Sequence, residues 1–155
     1  MTACQHVSEV NKVIFDLKLY PVMKDSGVPW LGKVPKHWKV RRLKWCANLN
    51  PSKREVLQSI AVDKPVVFLP MECVGTDGTV NMRHLLPAST VWDGFTYFQR
   101  GDVLVAKITP CFENGKGAYL ESLPSEIGFG STEFHVLRAK SSILPPYLYR
   151  ITTVS

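Results

Sequence analysis

Cysteine and histidine are the side chains of this sequence best suited to hold a metal ion or to act as a nucleophile. Four of each are present, at Cys4, Cys46, Cys73 and Cys111 and at His6, His37, His84 and His135. No two cysteines form a Cys-x-x-Cys pair, and no histidine lies at ligand spacing to a second histidine or a cysteine. We therefore expect reduced thiols and no metal site.

Two short segments resemble parts of catalytic sites but lack the groups that catalysis needs. In 113–116, Glu113 and Lys116 flank Asn-Gly, a strong turn signal, and the further carboxylate of a metal-dependent nuclease is missing. In 144–147, Leu144 stands where an amino-methyltransferase needs a polar side chain before Pro-Pro-aromatic. There is also no glycine-rich loop for S-adenosylmethionine, no phosphate-binding loop and no Gly-x-Ser-x-Gly. We expect neither catalysis nor a bound cofactor.

Positive charge is concentrated in one block. The chain has a formal net charge of +6. The segment 33–54 contains no Asp or Glu but has eight cations: Lys33, Lys36, Lys39, Arg41, Arg42, Lys44, Lys53 and Arg54. Such a block is either a docking surface for a polyanion such as nucleic acid or a solvated basic face. The interleaved Trp38 and Trp45 can stack on bases or pack in a core.

The first third of the chain predicts helix and then loop. Apolar residues at helical spacing behind Ser8 predict a short helix over about 8–19, within an N-terminal helical segment 1–20. Two glycines and two prolines exclude long regular structure in 24–38, where we expect Trp30 and Trp38 to pack the loop onto the rest of the domain. Residues 40–49 fit a helix or a strand equally well.

After Pro65 the pattern is mainly β. Short apolar runs predict strands in 66–69, 90–98, 102–108, 117–121 and 132–137, separated by turn signals in 76–78, 100–102, 113–117 and 128–130. Four glycines are expected to supply positive φ or close backbone approach: Gly27, Gly32, Gly117 and Gly130. A helix is expected to begin at Pro145 and Pro146, in a segment 145–155 that ends after about two turns.

Two stretches carry a resemblance to a known family. The segment YPVMKDSGVPWLGKVPKHWKVRRLK, at 20–44, looks like the opening of specificity subunits of type I restriction-modification systems. The segments GDVLVAKITPCFENGKGAYLE and GFGSTEFHVLR, at 101–121 and 128–138, resemble the later β part of their target recognition domain. The resemblance runs from about residue 20 to residue 150.

The resemblance implies an α+β fold, with a curved, barrel-like β body and flanking short helices. It also implies a non-catalytic component that reads double-stranded DNA beside modification subunits, which use S-adenosylmethionine, and restriction subunits, which use ATP. Members of the family have two recognition domains and two long helices. We therefore expect 1–155 to be a single, truncated recognition domain that reads one half-site.

Two groups of residues are candidates for binding DNA. Phosphate contacts are expected from the basic block, at Lys36, Lys39, Arg41, Arg42, Lys44, Lys53 and Arg54. Base reading needs donors and acceptors on loops, and the residues of that kind are Arg83, Asn114, Lys116, Ser131 and Thr132. Lys107, at a strand end, is a further candidate, because a lysine that emerges from an apolar strand needs solvent or an anion. For Asn114 and Ser131, shaping a turn is an equally good explanation.

Two other functions fit the same resemblance. One is the recognition part of a fused type IIG-like restriction-methylation enzyme, and the other is a fragment that only docks on modification subunits. We expect a cytoplasmic protein without a membrane segment, because no apolar run approaches the length of a span. Uncovered β edges also predict some self-association.

Overall fold

The computed structural model describes residues 20–56, 60–61 and 63–153. The helix predicted for 8–19 lies outside these residues. The chain divides into two compact units, Met1–Val40 and Arg41–Ser155. That both units belong to one recognition domain stays a prediction.

The described part of the first unit is a β-hairpin. Strand β1 (Met23–Asp25) pairs antiparallel with β2 (Lys33–Pro35). The connecting turn is closed by the Ser26 amide, which donates to the Gly32 carbonyl at 2.9 Å, and Gly32 has the positive φ of 61° that we expected of it. A short hairpin therefore forms within the segment in which only long regular structure was excluded, because three residues on each side are enough for a short ladder.

Trp30 lies in the turn of this hairpin and does not pack as expected. Its side chain is 84% exposed, so the prediction that it anchors the loop is wrong. Trp38 is also exposed, although its ring contacts Tyr20 edge-on with centroids 6.2 Å apart. Trp30 stays exposed because the hydrogen bonds of the tight turn fix the backbone on both sides of it.

The second unit contains eight strands and three short α-helices within its described residues. The helices are α1 (Leu43–Cys46), α2 (Ala88–Val91) and α3 (Pro145–Thr153), and 3-10 turns lie at Lys53–Val56 and Met71–Cys73. The strands are β3 (Ala47–Leu49), β4 (Pro65–Leu69), β5 (Leu85–Pro87), β6 (Thr96–Gln99), β7 (Val103–Ala106), β8 (Gly117–Tyr119), β9 (Ile127–Gly130) and β10 (Phe134–Ala139).

These strands form two mostly antiparallel sheets of four strands each. One sheet has the order β3-β10-β7-β8 and the other β5-β4-β9-β6, with β4 and β9 parallel. The α+β class is confirmed. The expected barrel-like closure is not confirmed, because no ladder joins the two sheets in the described residues.

The core is formed by buried apolar residues from both sheets. Leu69 and Phe98 from one sheet and Leu104, Phe134 and Val136 from the other belong to one fully buried cluster. Burying side chains of this size contributes about 1.5–3 kcal/mol each. This shared core fixes the ends of the strands, and with them the loops that follow.

Strand β9 corrects the expectation of a turn at 128–130. The backbone there is extended and fully buried, and it is paired on both sides. A Cβ on Gly128 would lie 2.3 Å from the Phe98 ring, and one on Gly130 would lie 2.6 Å from the Leu69 carbonyl oxygen. The two glycines therefore allow close packing, as expected for Gly130, and do not mark a turn.

Other boundaries also differ from the sequence expectations. The predicted strand 90–98 is in fact the end of α2, a bend and then β6, and β5 was not predicted. Residues 40–49, which fitted helix or strand, contain α1 followed directly by β3. The expected helix start at Pro145 is confirmed. Within the described residues no helix is long and apolar enough to cross a membrane.

Candidate nucleic-acid interface

Three loops of the second unit emerge at the same end of its two sheets. Strand β7 ends at Ala106, opposite Phe134, where β10 begins. Strand β4 ends at Leu69, opposite Gly130, where β9 ends. The segments that continue from these points are 70–84, 107–116 and 131–133, and we call them together the loop end. The Gly117 amide, which donates to the Gly75 carbonyl at 3.4 Å, holds the first two segments side by side.

The segment 107–116 is a hydrogen-bonded turn fixed at both ends. At its base, the Lys107 amide donates to the Glu133 carbonyl at 2.8 Å and the Ala106 amide to the Lys116 carbonyl at 2.9 Å. Inside it, the Asn114 amide donates to the Pro110 carbonyl at 3.0 Å. The turn expected at 113–117 is therefore confirmed, and its side chains stand on a fixed backbone.

Two lysines of the loop end join neighbouring loops. The Lys107 ammonium donates to the Thr132 carbonyl at 2.5 Å, and the Lys116 ammonium donates to the Met71 carbonyl at 3.2 Å. An ammonium carries three donors, so each lysine retains donors for an external acceptor. Neither forms an ion pair with a carboxylate in the described part of the chain.

The other base-reading candidates at the loop end differ in how they are engaged. Arg83 and Asn114 are exposed, and no hydrogen bond or ion pair holds their side chains within the described residues. Ser131 instead accepts a hydrogen bond from the Glu133 amide at 3.2 Å, which fits the turn-shaping explanation. Thr132 is exposed, and its carbonyl receives the Lys107 ammonium.

The cations of the basic block that belong to α1 lie away from the loop end. Arg41, Arg42 and Lys44 are exposed in or beside α1, which lies beyond the far end of β10, where the Lys140 amide donates to the Cys46 carbonyl at 2.8 Å. Six residues of strand, about 20 Å, separate that point from the loop end. Lys36 and Lys39 are exposed in the first unit.

Lys53 and Arg54 lie on the 3-10 turn and differ from each other. The Lys53 ammonium donates to the Trp92 carbonyl, forms an ion pair with Asp93 at 3.0 Å and lies 5.3 Å from the centre of the Trp92 ring. Arg54 is exposed. Lys53 is thus already engaged within the protein, whereas Arg54 is accessible to a phosphate.

Three features of the loop end were not found by sequence reasoning. Ile108 and Phe112 are exposed apolar residues in the turn 107–116. His135, the second residue of β10, lies close to the same end. Burial together with the charge of Lys107 lowers the pKa of His135. The apolar run 102–108 was interpreted only as a strand, and no pattern marked Ile108 or Phe112 as exposed.

The described residues contain no cluster of three ligand side chains suited to a metal ion. Cys46 and Cys73 are buried and Cys111 is partly buried, all three without a disulfide, and Cys4 lies outside the described residues.

The fold is like that of part of an HsdS subunit. The chain superposes on the HsdS subunit from Thermoanaerobacter tengcongensis with a TM-score of 0.54 and 15% identity, over 96% of this chain and 34% of that one. A chain from a structural study of complex assembly and conformational transition in the type I R-M system gives a TM-score of 0.55 and 15% identity, over 73% and 28%.

Sequence similarity identifies the family. The chain is 38% identical over 129 residues to the type I restriction enzyme EcoEI specificity subunit and 37% identical over 129 residues to the EcoAI specificity subunit, both of Escherichia coli. It is homologous to type I restriction enzyme specificity subunits. The match covers 82% of this chain and 21% of each relative, so the chain spans about a fifth of their length. No family model matches the chain.

Proposed function

We propose that this chain recognises one half-site of a double-stranded DNA sequence for a type I restriction-modification system and has no catalytic role of its own. The observation that carries the proposal is the loop end, where three loops bring Arg83, Lys107, Asn114 and Lys116 together with Thr132. Homology to specificity subunits supports the same role.

In this proposal the loop end reads bases and the basic block binds phosphates. Arg83 and Asn114 have the donors that match guanine and adenine edges in the major groove, and their side chains are not engaged elsewhere among the described residues. Lys107 and Lys116 add positive charge beside them, while Ser131 and Thr132 hold the loop that connects the two sheets.

Phosphate neutralisation is assigned to the exposed cations outside the loop end. These are Lys36, Lys39, Arg41, Arg42, Lys44 and Arg54. If about five of them meet phosphates, the logarithm of the binding constant falls with a slope of about −4.5 against the logarithm of salt concentration. Lys53 is not part of this set, because its ammonium is bound to Trp92 and Asp93.

The proposed partners follow from the proposed role. Modification subunits bind beside the chain and restriction subunits join through them, in the cytoplasm, where the DNA is. The described edge strand β5 also exposes Leu85 and Leu86, which supports some self-association of the isolated chain. A strictly monomeric sedimentation profile at high concentration would contradict that last point.

The test is selection from a randomised duplex pool over a series of salt concentrations, with sequencing of the retained DNA. We expect enrichment of a short motif. An Arg83→Ala, Asn114→Ala double variant should lose preference at individual positions, whereas an Arg42→Ala, Lys44→Ala variant should bind all sequences more weakly with the motif unchanged. Retention without enrichment, or no retention both alone and with the modification subunits, contradicts the proposal.

A further inference from the structure

The loop end presents two apolar side chains to solvent. Ile108 is 49% exposed and Phe112 is 55% exposed. They lie four residues apart, and the Phe112 amide donates to the Ile108 carbonyl at 2.9 Å. This bond closes a tight turn, so both side chains stand on the same short loop. The turn therefore carries a small apolar projection.

This projection is fixed in its exposed position. Besides the bonds at the base of the loop, the Lys116 amide donates to the Cys111 carbonyl and the Gly115 amide to the Phe112 carbonyl, each at 3.0 Å. The Thr109 hydroxyl adds a bond of 3.3 Å to the Glu113 carboxylate. A backbone held in this way cannot fold the two side chains into the core, and rigid presentation lowers the entropy cost of binding.

The groups around the projection are hydrogen-bond donors. Lys107 and Lys116 bracket the turn, and Asn114 lies two residues after Phe112 with its amide exposed. Glu113, the one acidic residue of 107–116, is engaged with Thr109. An apolar surface bordered by donors matches thymine in the major groove, where a methyl group lies beside the O4 acceptor, and Asn is the usual partner of the paired adenine.

We propose that Phe112, supported by Ile108, contacts the 5-methyl group of a thymine, so that the half-site contains an A·T pair read from the major groove. This inference rests on the proposed DNA recognition and adds to it the chemistry of one base pair. The contact is apolar, and it distinguishes thymine from cytosine by the methyl group alone.

The test removes one methyl group from the DNA and one aromatic ring from the protein. Each thymine of the selected half-site is replaced in turn by deoxyuridine, and dissociation constants are measured for the unchanged chain, Phe112→Ala and Leu144→Ala. Leu144 is the matched control, since it is 73% exposed and precedes α3 beyond the far end of β10. At one position we expect deoxyuridine to weaken binding about fivefold for the unchanged chain and Leu144→Ala, and less than twofold for Phe112→Ala.

Several results would overturn the inference and leave the proposed function intact. They are a selected half-site without any A·T pair, equal affinity for thymine and deoxyuridine at every position, or the same deoxyuridine penalty in Phe112→Ala. Loss of modification-subunit binding in Phe112→Ala with an unchanged deoxyuridine penalty would assign the projection to a protein contact instead. Failure of the unchanged chain to bind DNA both alone and with the modification subunits would contradict the proposed function itself.

A second variant guards against a folding defect. Phe112→Leu keeps an apolar side chain at the same position, so it should retain most of the deoxyuridine penalty. All variants are first compared by thermal unfolding. Because Phe112 is more than half exposed, its substitution should leave the unfolding temperature nearly unchanged.

Discussion

Asp102 and Arg138 form a buried ion pair with two parallel hydrogen bonds, from Nε to Oδ1 at 2.8 Å and from Nη2 to Oδ2 at 2.9 Å. Asp102 is almost completely buried, and its carboxylate also accepts a bond from the Gln99 amide. Burial acts against the charge of Arg138, but the hydrogen bonds and charge of Asp102 outweigh it and raise the pKa of the guanidinium above its ordinary value. The pair joins the turn before β7 to β10.

We expect Asp102→Asn to lower the free energy of unfolding by up to about 3–5 kcal/mol, because it removes the buried partner of Arg138 and leaves only the more exposed carboxylate of Glu55, at 2.8 Å, to balance the guanidinium charge. The measurement is urea denaturation at neutral pH. Glu126→Gln is the control, since it breaks the exposed Lys64–Glu126 pair and should change stability by less than about 1 kcal/mol. Equal effects of the two substitutions would show that the Asp102 pair contributes no more than a surface contact.

Gly128→Ala should destabilise the protein by about 1–3 kcal/mol, the usual range for an overpacked core. The new methyl group would meet the Phe98 ring on one side and the Val67 carbonyl oxygen on the other, the latter at 2.8 Å. Thermal unfolding measures the loss, with Ser142→Ala on an exposed turn as the control. A Gly128→Ala protein as stable as the unchanged chain would mean that β9 is not packed between its neighbours.

His135 should make stability depend on pH below neutrality. Its pKa in the folded protein is lowered by burial and by Lys107, so the unfolded chain binds the proton more readily. The contribution of neutral His135 to the free energy of unfolding is therefore fully present above the unfolded-state pKa of about 6.5. It is lost as the pH falls from there toward the lower pKa of the folded state. His135→Gln should flatten this part of a urea-midpoint profile between pH 8 and pH 5, and His84→Gln serves as the comparison. An unchanged slope in His135→Gln would refute the assignment.

Lys53 and Arg42 should separate stability from DNA affinity, although both belong to the same basic block. Lys53→Met removes the contacts with Trp92 and Asp93, so it should lower stability without altering the salt dependence of DNA binding. Arg42→Ala should leave stability nearly unchanged and reduce the magnitude of the salt slope by about 0.9. Thermal unfolding and binding titrations at several salt concentrations test both. A reduced slope in Lys53→Met would return that lysine to the phosphate contacts.

The sequence predicts strands best where their apolar runs are long and their turns are polar. Strands β4, β7 and β8 and the start of α3 were found in this way. Strand β9 was missed because two glycines flanking one residue are typical of a turn in sequence. In the structure Gly128 and Gly130 instead allow close packing within the sheet. The short strands β1, β2 and β5 were missed because charged residues or prolines interrupt any apolar run there, whereas β8, also of three residues, lies within the predicted run 117–121.

The candidate site was only partly accessible to the same reasoning. Turn signals identified Asn114, Lys116 and Ser131, but not that 70–84, 107–116 and 131–133 meet, since that depends on the pairing of distant strands. Local sequence also did not indicate that α1, with its exposed cations, lies at the opposite end of β10 from the loop end. The engagement of Lys53 depends on Trp92 and Asp93, which lie about 40 residues away along the chain and were not marked by any local pattern.

Two bonds between backbone atoms hold the turn 107–116 at its base, from Lys107 to Glu133 and from Ala106 to Lys116. Backbone bonds of this kind form whatever side chains the turn carries. Exposed positions between these anchors, such as 108, 112 and 114, are therefore free to diversify at little cost in stability. A protein built in this way can acquire a new target sequence through a few substitutions while its scaffold stays constant, which uncouples the evolution of specificity from that of the fold.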